Sequence, residues 1–146
     1  MPEPKTTVAV TRRAQFCAAH YYWRDDWSEA ENQNVFKACS NRQGHGHNYK
    51  LAVTVSGPLD ANTGMVVNLR DLKKLLKQHV LETLDHKHLN HQVFALHETY
   101  RGKQPTLEHL ASYIWESLNG AFASYPWQLT HLALFETEDL FVELVL

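Results

Sequence analysis

Residues 45–57 read HGHNYKLAVTVSG, and the fold follows from the alternation of apolar and polar side chains along this stretch. Successive side chains of a strand point to opposite faces of a sheet, so the alternation predicts a strand over about His47–Ser56. A Gly-Pro pair at 57–58 ends it. The side that faces a core carries four apolar residues, Tyr49, Leu51, Val53 and Val55.

Both ends of the chain alternate in the same way. The first segment is Thr6–Tyr21, in which His20 lies on the apolar side. At the C-terminus, strands over His131–Thr137 and Leu140–Leu146 are joined by a tight turn near 138–139. The sequence therefore predicts four strands, of which the last two form a hairpin.

Two segments between these strands repeat apolar residues at helical spacing. The first follows Asn68, an N-cap residue, and its apolar stripe runs to Leu84. The second begins at Pro105-Thr106 and runs to about Leu118, with Gly120 as its stop signal. The order of elements predicts the α+β class, with a four-stranded antiparallel sheet and two helices on one face. The exposed edges of such a sheet favour an oligomer in which edges pair between subunits.

The composition fits a single globular domain over residues 1–146. The net charge of −2 excludes a general basic surface for nucleic acid, so an anionic ligand needs a local positive cluster. Met1–Lys5 lacks the apolar stretch of a signal peptide, and no run approaches the roughly 18 apolar residues of a membrane span. Two cysteines that need not pair suit a reducing compartment. We therefore expect a cytoplasmic protein without nucleic-acid or membrane partners.

Three of the ten histidines have a spacing that is typical of a metal site. His45 and His47 lie two residues apart, and if the second strand already begins at His45, both side chains lie on the same side of it. His20 ends the first strand on the side of its apolar residues. If the two strands are neighbours, three imidazoles meet at one end of the sheet, which is the ligand set of a catalytic zinc. The alternative for an isolated His-x-His pair is an exposed polar turn.

The connection between the first two strands, Tyr22–Gly44, is long for a compact domain, and such connections are usually functional or disordered. A capping-box pattern at 28–31 predicts a short helix over Glu29–Lys37. The connection also carries Cys39, six residues before His45. A thiol near a cation and a histidine acts as a base or nucleophile, and a buried structural cysteine is the alternative.

Two further groups are candidates for chemistry. Asp85-His86 follows the first long helix, and a carboxylate that orients a histidine tunes a general acid or base. His86 can equally contact carbonyls at the helix end. Glu136 lies among apolar neighbours in the third strand, where it suits a ligand with adjacent N–H donors. A solvent-facing strand residue is the alternative for Glu136.

Six motifs in this order resemble the 6-pyruvoyl-tetrahydropterin synthase family over nearly the whole chain. They are FCAAH at 16–20, CSNRQGHGHNY at 39–49, GMVVNL at 64–69, LDHKHLN at 84–90, PTLE at 105–108 and FET at 135–137. The resemblance implies the tunnelling fold, in which trimers join their sheets into a barrel and two trimers stack into a homohexamer. It also implies that active sites lie at subunit boundaries.

The resemblance implies a role for each candidate residue. His20, His45 and His47 would bind zinc, and Cys39 would be the catalytic thiol. Asp85 and His86 would complete a proton relay, Glu136 would anchor the pterin, and the segment with Thr106 and Glu108 would help to line its pocket. The triphosphate site is not located by the resemblance, and its basic candidates are Arg42, Lys37 and Lys50.

The implied substrate is 7,8-dihydroneopterin triphosphate, and the implied product is 6-pyruvoyl-tetrahydropterin, formed by a zinc-dependent lyase with elimination of triphosphate. A sister activity, 6-carboxytetrahydropterin synthase of the queuosine pathway, releases acetaldehyde as well and commonly has a shorter spacing between the cysteine and the His-x-His pair. The five residues from Ser40 to Gly44 favour the pyruvoyl product. An alternative of another class is a non-catalytic pterin- or purine-binding relative, which would need neither Cys39 nor Asp85-His86.

Three positions depart from the family pattern. Cys17 stands where the family usually has serine, and its position inside a strand, opposite in parity to His20, suits a structural role. His91 and His109 stand where relatives often have aspartate and asparagine. These departures leave the predicted zinc ligands unchanged and concern the lip of the pocket.

Overall fold

The two strands predicted from alternation, β1 (Val8–His20) and β2 (His45–Gly57), form the centre of a sheet. They pair antiparallel along their whole lengths, from Val8 opposite Gly57 to His20 opposite His45. The computed structural model describes residues 6–146, so Met1–Lys5, on which part of the expectation about export rests, lie outside the described residues. The strand β2 begins two residues earlier than expected, and the histidine pair therefore belongs to the sheet.

The sheet has five strands rather than the expected four, in the order β3-β1-β2-β4-β5. The added strand β3 (Lys87–His88) is two residues long and pairs parallel with β1, Ala18 being opposite Lys87. A two-residue strand has no alternation to detect, which is why the sequence pattern did not reveal it. The hairpin β4 (Gln128–Phe135) and β5 (Phe141–Val145) completes the sheet antiparallel to β2.

The first long helix starts where its cap predicts. The side chain of Asn68 accepts a hydrogen bond from the Arg70 backbone N–H at 2.9 Å, and α2 (Leu69–Leu76) begins there. The helical path continues through a π-helical turn and a short α3 (Glu82–Leu84), so the apolar stripe extends to Leu84 as expected.

The second long helix, α4 (Leu107–Phe122), is capped by the Thr106 side chain, which accepts a hydrogen bond from the His109 N–H at 3.1 Å. The expected stop at Gly120 is wrong, because the helix passes through it. Phe122 is buried one turn after the buried Leu118, and burying an aromatic side chain outweighs the roughly 1 kcal/mol cost of an interior helix glycine.

Both long helices cover one face of the sheet, as predicted. The apolar side of β2 is fully buried beneath them, as are the inward-facing residues of β4, including Leu132 and Leu134. This layered core fixes the orientation of each strand, because a shift by one residue would move every apolar side chain to the other face. The side chains of His20, His45 and His47 share the helix-facing side with Tyr49 and Leu51.

The long connection between β1 and β2 is ordered by amide side chains. It contains α1 (Glu29–Phe36) and a 3-10 turn (Lys37–Ser40), close to the predicted helix. Three amide side chains each accept from the backbone N–H and donate to the backbone carbonyl of one residue, at 2.7–3.0 Å. These pairs are Asn90 with Tyr21, Gln104 with Trp23 and Asn32 with Arg24. These hydrogen bonds hold the backbone that follows His20 in place.

The helices of residues 6–146 include none with both the length and the apolar character that a membrane crossing requires.

Candidate active site

Three imidazoles meet at one end of the β1–β2 pair. His20 ends β1 opposite His45, and His47 lies opposite Ala18, two residues along the same face of β2. One ring nitrogen from each histidine lies within 4.8 Å of the other two, and the Nε2 atoms of His20 and His45 are 3.1 Å apart. Two ligands of one tetrahedral ion are roughly 3.4 Å apart, so the sheet register alone brings these nitrogens to metal-binding separation.

The hydrogen bonds of His20 fix which of its nitrogens is free. Its Nδ1 donates to the carbonyl oxygen of Pro105 at 3.0 Å, since a carbonyl oxygen can only accept. The neutral ring therefore presents an unprotonated Nε2 toward the other two histidines. Burial lowers the pKa of His20 to about 4, with the neighbouring His45 and His47 adding to this effect. The side chain is fully buried, and it is held in the neutral form that binds metals.

An unpaired nitrogen supports the same assignment. The Nε2 atom of His47 is buried and makes no hydrogen bond among the described residues, although a carboxylate oxygen of Glu136 lies 3.3 Å from it. A buried polar atom without a partner costs free energy, and a bound cation removes that cost. Burial also lowers the pKa of His47, although the negative charge of Glu136 acts in the opposite direction. His20, His45 and His47 thus have the donor atoms and the spacing for a metal ion, and burial favours the neutral form of His20 and His47.

The turn before β2 allows His45 to lie close to His20. Gly44 has a φ of +84°, a conformation that side-chain-bearing residues rarely adopt. A Cβ atom at Gly44 would lie 3.2 Å from both the His20 carbonyl oxygen and the Nε2 atom of His88. Glycine at this position therefore permits His45 to enter the sheet directly beside His20.

The thiol of Cys39 lies at the edge of the histidine cluster. Its Sγ atom is 3.9 Å from the Nε2 atom of His45. Partial burial raises the pKa of Cys39, and the charge of Glu136 raises it further. These groups of one chain therefore favour the thiol, and the thiolate requires positive charge that a bound cation or another residue supplies.

Asp85 and His86 contact each other but lie beside Cys17. The Oδ2 atom of Asp85 is 3.1 Å from the Nδ1 atom of His86, and its Oδ1 atom accepts a hydrogen bond from the Cys17 N–H at 2.9 Å. This backbone hydrogen bond is the main reason that the pKa of Asp85 is lowered, with His86 adding to the effect. Within residues 6–146, neither residue has a hydrogen bond or ion pair with Cys39.

Glu136 follows β4 and faces the cluster. Its Oε1 atom lies 3.3 Å from the Nε2 atom of His47 and 3.5 Å from that of His20, and its side chain is only 12% exposed. The structure therefore brings Glu136 together with the three histidines. Thr106 serves as the α4 cap next to Pro105, and Glu108 lies exposed in the first helical turn.

An open cavity of about 740 Å³ extends from Glu136 over the sheet face opposite the helices, and Arg13, Asn48 and Lys50 line it. Of the basic candidates for binding an anion, Lys50 is thus the one that shares a cavity with Glu136. Arg42 instead stacks on Trp23 at 5.0 Å, 3.6 Å from an exposed aspartate. Lys37 is exposed beside Asn34.

Two of the sequence departures have clear structural contacts. The Nδ1 atom of His109 donates to the Gln104 carbonyl oxygen at 2.6 Å, which ties the start of α4 to the preceding loop. His91 stacks on His88 with ring centroids 4.4 Å apart. Both residues stabilise loops next to the cluster rather than joining it.

Sequence reasoning missed two residues that orient the cluster. Pro105 orients His20 through its backbone carbonyl oxygen. Because every residue has such an oxygen, the residue type at position 105 could not reveal this contact. Tyr49 was assigned only to the core. Its hydroxyl nevertheless lies 3.3 Å from the Nδ1 atom of His20, and its position two residues after His47 was the available signal.

Comparison with known proteins identifies the family of this chain. The family model described as 6-pyruvoyl tetrahydropterin synthase matches residues 9–145. The 6-pyruvoyl tetrahydrobiopterin synthase of Pongo abelii is 44% identical over 130 residues, which cover 89% of this chain and 86% of that protein. The 6-carboxy-5,6,7,8-tetrahydropterin synthase of Rickettsia bellii is 32% identical, over 93% of this chain and 99% of that protein.

Among solved structures, the Caenorhabditis elegans 6-pyruvoyl tetrahydropterin synthase is similar with a TM-score of 0.85 and 34% identity, over 96% of each chain. The similarity thus holds in sequence and in fold over almost all of the chain. This protein belongs to the 6-pyruvoyl tetrahydropterin synthase family, enzymes of the lyase class that act in tetrahydropterin biosynthesis.

Proposed function

We propose that this protein is a zinc-dependent lyase that converts 7,8-dihydroneopterin triphosphate into 6-pyruvoyl-tetrahydropterin and releases triphosphate. The observation that carries the proposal is the convergence of three imidazoles, the Cys39 thiol and the Glu136 carboxylate at one end of the sheet. In a chain of this family, that set combines a metal site, a base and an acceptor for a pterin.

The three histidines are the proposed zinc ligands. All-nitrogen ligation by neutral imidazoles suits zinc, and three protein ligands leave a position for substrate. When bound, zinc would act as a Lewis acid toward the side-chain hydroxyls of the substrate and stabilise the negative charge that develops on proton removal. The hydrogen bond to the Pro105 carbonyl oxygen orients the His20 ring toward the other two ligands.

Cys39 is the proposed base. Its Sγ atom is close enough to His45 for a cation at the histidines to lower the thiol pKa against the effect of burial. As a thiolate, Cys39 would remove a proton from the substrate side chain. Asp85 would orient His86, which would return a proton to another carbon of that side chain.

The pairing of Asp85 and His86 with Cys17 rather than Cys39 supports an active site that is shared between subunits. In this proposal, the relay of one subunit serves the Cys39 thiol of a neighbour in a homohexamer of two stacked trimers. Light scattering should give the mass of six chains, and a stable monomer at micromolar concentration would contradict the shared site.

Glu136 is the proposed anchor for the pterin ring. Its carboxylate is mostly buried and has oxygens that can accept two adjacent N–H groups of an amino-pyrimidinone edge. Thr106 and Glu108, at the start of α4, would line the same pocket. Lys50 and Arg13 line the cavity that Glu136 borders, on the sheet face opposite the histidines, and are the basic candidates for the triphosphate there.

The pyruvoyl product is preferred over the carboxy product. Five residues separate Cys39 from His45, as in the pyruvoyl-forming type, and the more similar relatives carry the pyruvoyl name. Mass spectrometry after incubation with 7,8-dihydroneopterin triphosphate tests the choice. A 6-pyruvoyl product supports the proposal. Acetaldehyde with a 6-carboxy product would assign the sister activity, and unchanged substrate with measurable affinity would indicate a binding protein.

A further inference from the structure

We propose that Cys17, Asp85 and His86 form a second divalent-cation site, suited to zinc and separate from the three-histidine cluster. One ligand atom from each residue, a thiol sulfur, a carboxylate oxygen and an imidazole nitrogen, lies within 4.8 Å of the other two. These three donor types are those that zinc takes in proteins.

The distance between the carboxylate and imidazole donors is close to the distance between two ligands of one bound ion. The Oδ2 atom of Asp85 and the Nδ1 atom of His86 are 3.1 Å apart. Ligands of one tetrahedral zinc are roughly 3.3–3.8 Å apart when nitrogen, oxygen and sulfur are mixed. The carboxylate and imidazole donors are therefore already near ligand separation, and the Cys17 sulfur lies within 4.8 Å of both.

The backbone holds the three residues in place before any ion binds. The Cys17 N–H donates to Asp85, and the His86 N–H donates to the Cys17 carbonyl oxygen at 2.6 Å. Immediately after His86, β3 pairs with β1 in parallel. Two separate chain segments are thus linked by hydrogen bonds at the site, so little conformational entropy remains to be lost on binding.

The backbone of His86 is also unusual. Its φ of +61° lies in the left-handed region, which is costly for a residue with a side chain. The surrounding hydrogen bonds hold His86 in this conformation. In this conformation the His86 imidazole lies beside the Asp85 carboxylate. One cation could therefore bind to both side chains.

In the single chain the site is open to solvent. A cavity of about 500 Å³ contains Cys17 and His86, and the side chain of His86 is 79% exposed. Water can therefore provide the remaining coordination position. Cys17 and His20 have opposite parity on β1, so the two metal sites lie on opposite faces of this strand.

Occupation of this site would have a regulatory consequence. The same Asp85 and His86 are assigned to the proton relay, so a bound cation would withdraw both from catalysis. This consequence rests on the proposed function, whereas the existence of the site does not, because it can be measured by metal binding alone.

The test is a titration of the full-length, chelator-stripped protein with Zn²⁺ and with Co²⁺, in a non-thiol reductant. We expect two equivalents per chain and a thiolate-to-cobalt charge-transfer band. Cys17→Ser and His86→Asn should each bind one equivalent, and Cys17→Ser should lack the band. The matched thiol control Cys39→Ser should keep both. Circular dichroism of each variant checks its folding.

A single equivalent in the unaltered protein that Cys17→Ser retains would overturn the proposal. So would a band that persists in Cys17→Ser and disappears in Cys39→Ser, since the thiolate would then belong to the histidine cluster. His20→Ala separates the two sites, because it should lose one equivalent and keep the band. If the unaltered protein binds a single equivalent, and that equivalent gives the cobalt band and is lost in Cys17→Ser, the result would count against the proposed zinc enzyme and leave the second site standing.

Discussion

His20 donates a hydrogen bond from Nδ1 to the carbonyl oxygen of Pro105, across 85 residues of sequence, at 3.0 Å. This contact joins the end of β1 to the residue that precedes the α4 cap. It fixes the tautomer of His20 and the rotation of its ring, so the Nε2 atom points toward His45 and His47. A metal site built on this contact is organised by the fold before an ion arrives.

Removal of any one of the three proposed histidine ligands should abolish most zinc binding at the histidine cluster, so that the zinc content falls by about one equivalent per chain. Two imidazoles bind zinc far less tightly than three, and each histidine provides one nitrogen to the cluster. Metal analysis of His20→Ala, His45→Ala and His47→Ala after dialysis measures the effect at the histidine site. His79→Ala, a change on the helical surface, is the control and should bind like the unaltered protein. Full zinc retention in all three ligand variants would remove the basis of the proposed mechanism.

The metal-free protein should lose stability between pH 6.5 and pH 4. The pKa of His20 falls from 6.5 in the unfolded chain to about 4 in the folded one because of burial. Over this range the unfolded state binds more protons, so the free energy of unfolding decreases as the pH decreases, by about 3 kcal/mol in total. Urea denaturation in chelator at several pH values measures it.

His20→Asn removes this titrating group and should flatten the pH dependence over that range, whereas His79→Asn should not. An unchanged pH dependence in His20→Asn would show that other residues dominate acid sensitivity.

Glu136→Gln should weaken pterin binding by about 1.5–3 kcal/mol, which is roughly 10- to 150-fold in Kd. The amide keeps the size of the side chain but loses the charge that strengthens acceptance from two N–H donors. Calorimetry with a dihydropterin measures the change, with zinc content matched between samples because Glu136 faces two of the histidines. Glu82→Gln, an exposed helical change, is the control. An equal Kd for Glu136→Gln and the unaltered protein would assign Glu136 to a structural role.

Cys39→Ala should reduce turnover by roughly a hundredfold or more, the usual contribution of a positioned base, while zinc and pterin affinity stay nearly intact. Single-turnover loss of 7,8-dihydroneopterin triphosphate measures it, together with zinc content and ligand affinity. Cys17→Ala is the matched control. The Cys17 thiol lies on the face of β1 opposite to His20, so turnover of Cys17→Ala should stay within a few-fold of that of the unaltered protein.

The two cysteine variants must differ for the assignment to hold. Near-normal turnover in Cys39→Ala would exclude the thiol as the base. Equal losses in both variants would point to damage to β1 or to its neighbouring loop instead.

Patterns within short stretches of sequence predicted the central strand and the starts of both long helices. Alternation in residues 47–56 located the central strand, and the cap residues Asn68 and Thr106 marked both helix starts. The end of α4 and the strand β3 were not predicted correctly. Gly120 is a stop signal only where packing does not favour continuation, and β3 exists because the loop after α3 lies against β1.

For the candidate site, the sequence by itself determined the ligand types and the shared parity of His45 and His47, since side-chain direction in a strand follows from position alone. Only the tertiary structure decided that His20 lies opposite His45, that Pro105 orients it, and that Glu136 faces the cluster. It also grouped Asp85 and His86 with Cys17. These relationships join residues far apart in the chain, and they depend on strand register and core packing, which no local pattern encodes.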